Sequence, residues 1–229
     1  MKYLDVPHFA RLNTFLDTVD VGNYVVCGGL EAYSCKLAGL DKKLSRSLDE
    51  EIQMESPPSV LAESPVGPTG ESASRKTLIY LILTLNHALP DYDFSQLRAH
   101  HFKRELDLSL LEETVQRHLS EIAKVWESAP DVNDLSFLES VRKAIDEAIE
   151  LNSCEVYQYR PDVDADLFDD EGKLWSFAYL FYNRKLKRTV MFGCRGVSKI
   201  ARRKSATLCS DSSDTESDVD YGMAAEMDV

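Results

Sequence analysis

Residues Trp175–Asn183 read WSFAYLFYN. Trp175, Phe177, Tyr179 and Phe181 fall on alternate positions, the two-residue period of a β-strand. The intervening Ala178, Leu180 and Tyr182 are apolar as well. A strand apolar on both faces belongs in the middle of a sheet covered on both sides. Four bases follow within five residues (Arg184, Lys185, Lys187, Arg188), and Thr189–Arg195 (TVMFGCR) then resumes a β-branched and aromatic pattern. The two segments read as a hairpin closed by a basic turn. Just upstream, Cys154–Tyr159 (CEVYQY) reads as a short strand.

Further toward the N-terminus, Asn23–Cys35 has the composition of one or two strands. Helical spacing marks His8–Val19, where Pro7 suits the helix start, and more weakly Asp41–Met54. Arg75–Leu89 is apolar nearly all round and reads as a buried helix. Leu111, Val115, Leu119, Ile122 and Trp126 make the face of another helix, with Ser109 and Glu112 as its capping box. Leu135, Leu138, Val141, Ile145 and Ile149 make the face of the next. Pro90–Lys103 has no clear period. Helices and strands are segregated, the signature of an α+β fold: a central, mainly antiparallel sheet of about five strands packed with helices. Residues 1–198 form one globular domain in this reading. A mobile Pro/Ser-rich insertion interrupts it at about 55–74, and a disordered tail, basic and then acidic, occupies 199–229.

The chain has 229 residues, with 39 acidic and 26 basic side chains, for a formal charge of −13. Its 44% hydrophobic content suffices for a core, which excludes wholesale disorder. Residues 210–229 hold seven acids and no base, leaving 32 acids against 26 bases, a net of −6, over 1–209. Residues 184–209 carry nine bases and no acid. Such overall acidity disfavours bulk nucleic-acid binding. The N-terminus has no secretory pattern, and no apolar run is long enough to span a membrane. Five scattered cysteines read as reduced thiols of a cytosolic or nuclear protein.

Catalytic and cofactor motifs are missing. Gly67 and Gly70 lack the Lys-Ser/Thr sequel of a phosphate loop, and neither GxGxxG nor GxSxG occurs. Asp162, Asp164 and Asp166 resemble the start of a calcium loop, but Leu167 and Lys173 stand where it needs Gly and Glu. His100 and His101 are adjacent and have no nearby cysteine, so zinc is disfavoured. No catalytic, cofactor or metal residue is assigned. The bases Arg184, Lys185, Lys187, Arg188, Arg202, Arg203 and Lys204 are candidates for nuclear import. Through 184–204 they also suggest an alternative, a direct nucleic-acid-binding module. Ser45 and Ser205 follow Lys/Arg clusters, Ser56 and Ser64 precede prolines, and Ser213, Thr215 and Ser217 have acids three residues on. These are the phosphorylation candidates. A phosphate at Ser205 would partly neutralise the adjoining bases.

Three blocks, Leu30–Lys36 (LEAYSCK), Ser74–Ser95 (SRKTLIYLILTLNHALPDYDFS) and Leu174–Arg188 (LWSFAYLFYNRKLKR), together resemble the three boxes of the Maf-type repressors of RNA polymerase III transcription. They occur in family order, and with their flanks span most of residues 1–198. The insertion and the acidic tail also have family counterparts, both short here. The resemblance implies an α/β globule with a central antiparallel sheet and no catalytic activity. It implies binding to the RNA polymerase III core, which blocks recruitment by the initiation factor that contains the TATA-binding protein and Brf. It further implies control by nutrient-sensing TOR signalling and stress, acting through protein kinases and a phosphatase. The protein would shuttle between cytoplasm and nucleus through the import machinery, without a membrane and without direct specific nucleic-acid binding. Carried over box by box, Tyr33, Ser34, Cys35 and Lys36 lie in the first. Pro90, Asp91, Tyr92, Asp93, Phe94 and Ser95 lie in the second. Trp175, Phe177, Tyr179, Phe181 and Tyr182 lie in the third, whose basic end is Lys185, Lys187 and Arg188. The third-box aromatics read as core, and Asp91 and Asp93 as caps of a helix or turn.

Overall fold

The computed structural model describes residues 1–55, 64–68, 70–128, 135–162 and 172–200. The elements run β1 (Lys2–Leu4), α1 (Pro7–Leu16), β2 (Val19–Asp20), β3 (Tyr24–Ser34), α2 (Gly39–Glu55), α3 (Ser72–Ala88), β4 (Phe102–Glu105), α4 (Ser109–Glu127), α5 (Phe137–Ile149), β5 (Glu155–Tyr159), β6 (Lys173–Asn183) and β7 (Arg188–Ser198). They form an antiparallel sheet ordered β1-β3-β7-β6-β5-β4, with β2 also pairing with β3.

β6 lies inside this order, between β5 and β7, as its two apolar faces require. Phe177, Tyr179 and Phe181 enter a core built with Leu12 of α1, Leu119 of α4 and Ile145 of α5. Ala178 and Leu180 enter a second core on the opposite face, built with Ile52 of α2 and Leu78, Leu81 and Ile82 of α3. Each fully buried aromatic or leucine side chain contributes about 1.5–3 kcal/mol relative to exposure, so β6 supports both layers at once. The strands approach closely at glycines. A Cβ on Gly28 would fall 2.4 Å from Cys194 Sγ and from the Gly193 carbonyl oxygen, and one on Gly196 would fall 2.6 Å from the Trp175 ring.

The sheet has seven strands rather than about five. The strands that the sequence reading did not place are β1, β2 and β4, of three, two and four residues, too short to show a period. Helix α1 stops at Leu16, because Val19 leaves the helical face to pair with Val26. The Asn23–Cys35 region is one strand of 11 residues. The capping box does not form at Ser109. There the Asp107 carboxylate accepts from Ser109 N at 3.1 Å, and Glu112 instead meets Arg142 at 3.2 Å. A capping box forms at α5, where Ser136 and Glu139 each accept from the other's backbone N–H. At the edges of the insertion, α2 runs to Glu55 and α3 starts at Ser72, and Val66 is buried in the α2–α3 core. Ser56, and every residue from 201 to 229, lies outside the described residues.

Candidate interaction surface

The three sequence blocks are far apart in the chain but meet in the fold. The first is the end of β3, the second is α3 with its following loop, and the third is β6 with the turn into β7. Thr84 of α3 shares a hydrogen bond with Thr189 of β7 at 2.8 Å, and Arg184 donates to Thr77 at 3.4 Å. The Tyr80 and Tyr182 rings lie 5.7 Å apart, as do those of Tyr33 and His87. Cys35 N donates to the Lys187 carbonyl at 2.9 Å, tying the first block to the third. Tyr33 is buried and donates to Glu31, Ser34 is half-buried with its Oγ accepting from Lys36 N at 3.3 Å, and Lys36 is exposed.

Burial sets the chemistry at this junction. It raises the Cys35 thiol to about 12, against the opposing pull of the N-terminal ammonium and Lys187. It raises Tyr182 to about 12 as well. Both stay neutral near pH 7, so Cys35 offers no thiolate. Burial likewise raises Cys154 to about 12.

The second-block loop is held at two points. Phe94 is fully buried, and its N–H donates to Asn86 Oδ1 at 2.8 Å. Asp93 closes a local turn, accepting from Ser95 N at 2.9 Å and from the Ser95 hydroxyl. Those two bonds hold its carboxyl below the usual range. Asp91 makes no such cap. With Pro90 and Tyr92 it faces a groove beside β3 and β7. In the third block Phe177, Tyr179, Phe181 and Tyr182 are buried, while Trp175 is half-buried at the rim beneath His118, ring centroids 4.8 Å apart.

The basic turn depends on Asn183, which is fully buried. Its Oδ1 accepts from both Lys185 N and Leu186 N at 3.0 Å, and its Nδ2 donates to Ile149 O at 2.8 Å. The turn then closes through Lys187 in the left-handed region, φ 52°. Arg184 meets Glu155 at 3.3 Å, and Arg188 donates to Ala148 O at 3.2 Å. Lys185 and Lys187 are exposed, with no ion pair among the described residues. Two of the four cations are thus committed within the molecule, which shrinks the platform that a nucleic-acid reading needs.

Ser45 is half-buried in α2. The Ser64 hydroxyl oxygen is buried, with no hydrogen-bond partner among the described residues. Ser56, Ser205, Ser213, Thr215, Ser217, Arg202, Arg203 and Lys204 lie outside the described residues, as do Asp164 and Asp166. His100, His101 and Asp162 come together, an approach that the adjacency of the two histidines does not reveal. His101 Nδ1 lies 2.9 Å from Arg98 N and 3.3 Å from the Arg98 carbonyl oxygen, and its Nε2 pairs with Asp162 at 3.0 Å. Among the described residues no helix is long and apolar enough to cross a membrane.

The chain matches the family model described as Maf1 regulator over residues 26–193. It is 34% identical to the "Repressor of RNA polymerase III transcription" of Dictyostelium discoideum, across 87% of this chain and 86% of that protein. It is 31% identical to the "Repressor of RNA polymerase III transcription maf1" of Schizosaccharomyces pombe, across 87% and 84%. A crystal structure of citrus MAF1 superposes with a TM-score of 0.67 at 41% identity, covering 84% of this chain and 99% of that one.

Proposed function

Because the chain belongs to the Maf1 regulator family, we propose that it represses transcription by RNA polymerase III, and that it does so by binding the polymerase core. One observation carries this reading: relatives named as repressors of that polymerase align along most of the chain. Bound there, the protein denies the polymerase to the initiation factor that contains the TATA-binding protein. Occupying a surface in this way asks for a rigid body rather than an active site. An acidic chain of net −13 suits a basic face of the polymerase, where complementary charge speeds and orients docking.

Regulation belongs to the same proposal. Kinases responding to nutrients keep the protein phosphorylated and inactive, and dephosphorylation under stress releases it into the nucleus. The exposed ammoniums of Lys185 and Lys187 serve import, with Arg202, Arg203 and Lys204 as a second basic cluster.

The test mixes purified protein with purified RNA polymerase III on gel filtration, then assays factor-dependent transfer-RNA gene transcription. Co-migration with loss of transcription is expected. Failure of the dephosphorylated protein to co-migrate would end the reading. Salt-dependent RNA or DNA binding at micromolar protein, abolished by Lys187→Glu with Arg188→Glu, would replace it with the nucleic-acid one.

A further inference from the structure

Past the end of α3 a groove of about 660 Å³ opens over β3 and β7. Gly29 and Gly193, paired across the two strands, lie in its floor. Asp17, Glu31, Asp91 and Tyr92 stand around it. The groove also reaches an open strand edge. β1 pairs with residues 32–34 of β3 and β2 with 25–26, so among the described residues 27–31 have no strand neighbour on that side. Asn13 fills part of the gap, donating to Leu30 O at 2.9 Å and accepting from Leu30 N at 2.7 Å. Backbone groups alternate sides along a strand, so Gly28 turns its N–H and C=O toward the same edge. Among the described residues no side chain does for Gly28 what Asn13 does for Leu30.

The surroundings are acidic. Asp17 and Asp91 are exposed and meet no cation among the described residues. Glu31 holds the Tyr33 hydroxyl. Arg195 is the single base of the lining among the described residues.

The chain leaves the sheet on this side. Ser198 ends β7 opposite Tyr24. Lys199 N then donates to Asn23 O at 3.3 Å, and its ammonium grips both oxygens of Asp20 at 2.5 Å. Ile200 and Ala201 come next, then Arg202, Arg203 and Lys204, followed by Ser205. Gly28 lies four residues along β3 from Tyr24, about 14 Å at the rise of a strand. Lys199 and Ile200 are helical, so the chain from Lys199 to Lys204 reaches about 15 Å when its last four steps are extended.

We propose that the basic segment Arg202–Lys204 docks in this groove, its cations against Asp17, Glu31 and Asp91, and its backbone beside the open edge at Gly28. Three cations meeting three carboxylates explain both the acidic rim and the position of the chain's exit. An acid at position 205 opposes the docking by like-charge repulsion. The inference does not depend on the polymerase reading, and its test contains no polymerase.

Cys27 lines the groove and is half-exposed, so its reactivity reports occupancy. The full chain is treated with iodoacetamide at low salt, and carbamidomethylation of Cys27 is followed by peptide mapping. The rate is expected to rise at least threefold in Arg202→Glu/Arg203→Glu/Lys204→Glu, and likewise in Asp17→Asn/Asp91→Asn. Ser205→Glu should fall between. Adding 0.5 M NaCl should bring the native chain close to the triple variant, because screening shortens the range of exposed charges to a few ångströms. Cys194, which is buried, gauges integrity and should stay slow throughout. Equal Cys27 rates in the native chain and the triple variant overturn the proposal. A native rate that falls as protein concentration rises overturns it in favour of a second copy's tail.

Discussion

Asn183 shows how a single side chain can fix a feature that the sequence displays only as charge. The run of bases from Arg184 to Arg188 invites attention, yet the geometry is set by the neutral amide before it, which holds two turn N–H groups and the Ile149 carbonyl. Asn183→Leu keeps the volume but strands these partners. Each unpaired buried group costs about 1–3 kcal/mol, so a loss of about 2–4 kcal/mol is expected in urea denaturation, with the slope of the transition unchanged. His118 offers a second residue-scale test. Desolvation over Trp175, and then the neighbouring Arg117, hold its pKa below the ordinary histidine value. The unfolded chain therefore takes up the proton first, and the stabilisation present above pH 6.5 is lost as pH falls. Between pH 7.5 and 5.5, His118→Phe should lose less stability than the native chain. Parallel losses in the two proteins would remove His118 from the account.

Among elements, the helix starts separate a motif from its use. Ser109 with Glu112 and Ser136 with Glu139 have the same spacing, but only the second pair closes a capping box. Ser136→Ala should cost about 1 kcal/mol, and Ser109→Ala no more than about 0.5 kcal/mol, since Asp107 already serves the start of α4. Thermal or urea midpoints of the two variants decide it. β6 was legible because its two side-chain sets are both large and apolar, a pattern only a doubly covered strand can satisfy. α3 was legible for the same reason in helical form. β4 was not, because four residues carry barely two periods and its partner β5 lies some fifty residues further along the chain. Of the candidate site, the sequence supplied the blocks and their bases. It did not supply the junction of Tyr33, Tyr80 and Tyr182, nor the groove at Asp91, because both arise where segments distant in sequence come together.

At the scale of the whole molecule, one sheet joins two cores, and its strands differ in how well they are sheltered. β6 and β7 have strand neighbours on both sides and apolar packing on both faces. β1 and β2 are a few residues long and lie at a margin. Amides of β6 and β7 should exchange with solvent slowest, close to the global unfolding limit, and those of β1 and β2 orders of magnitude faster. Exchange followed by mass spectrometry reads this directly, and uniform rates across the sheet would contradict the two-core picture. The placement of β6 has a genetic consequence. A screen for substitutions that restore transcription will return many changes at Phe177, Tyr179, Leu180 and Phe181, and most will act by lowering the amount of protein in the cell. Scoring abundance beside transcription sorts them: alleles that leave the protein plentiful yet silent mark the face that meets its partner.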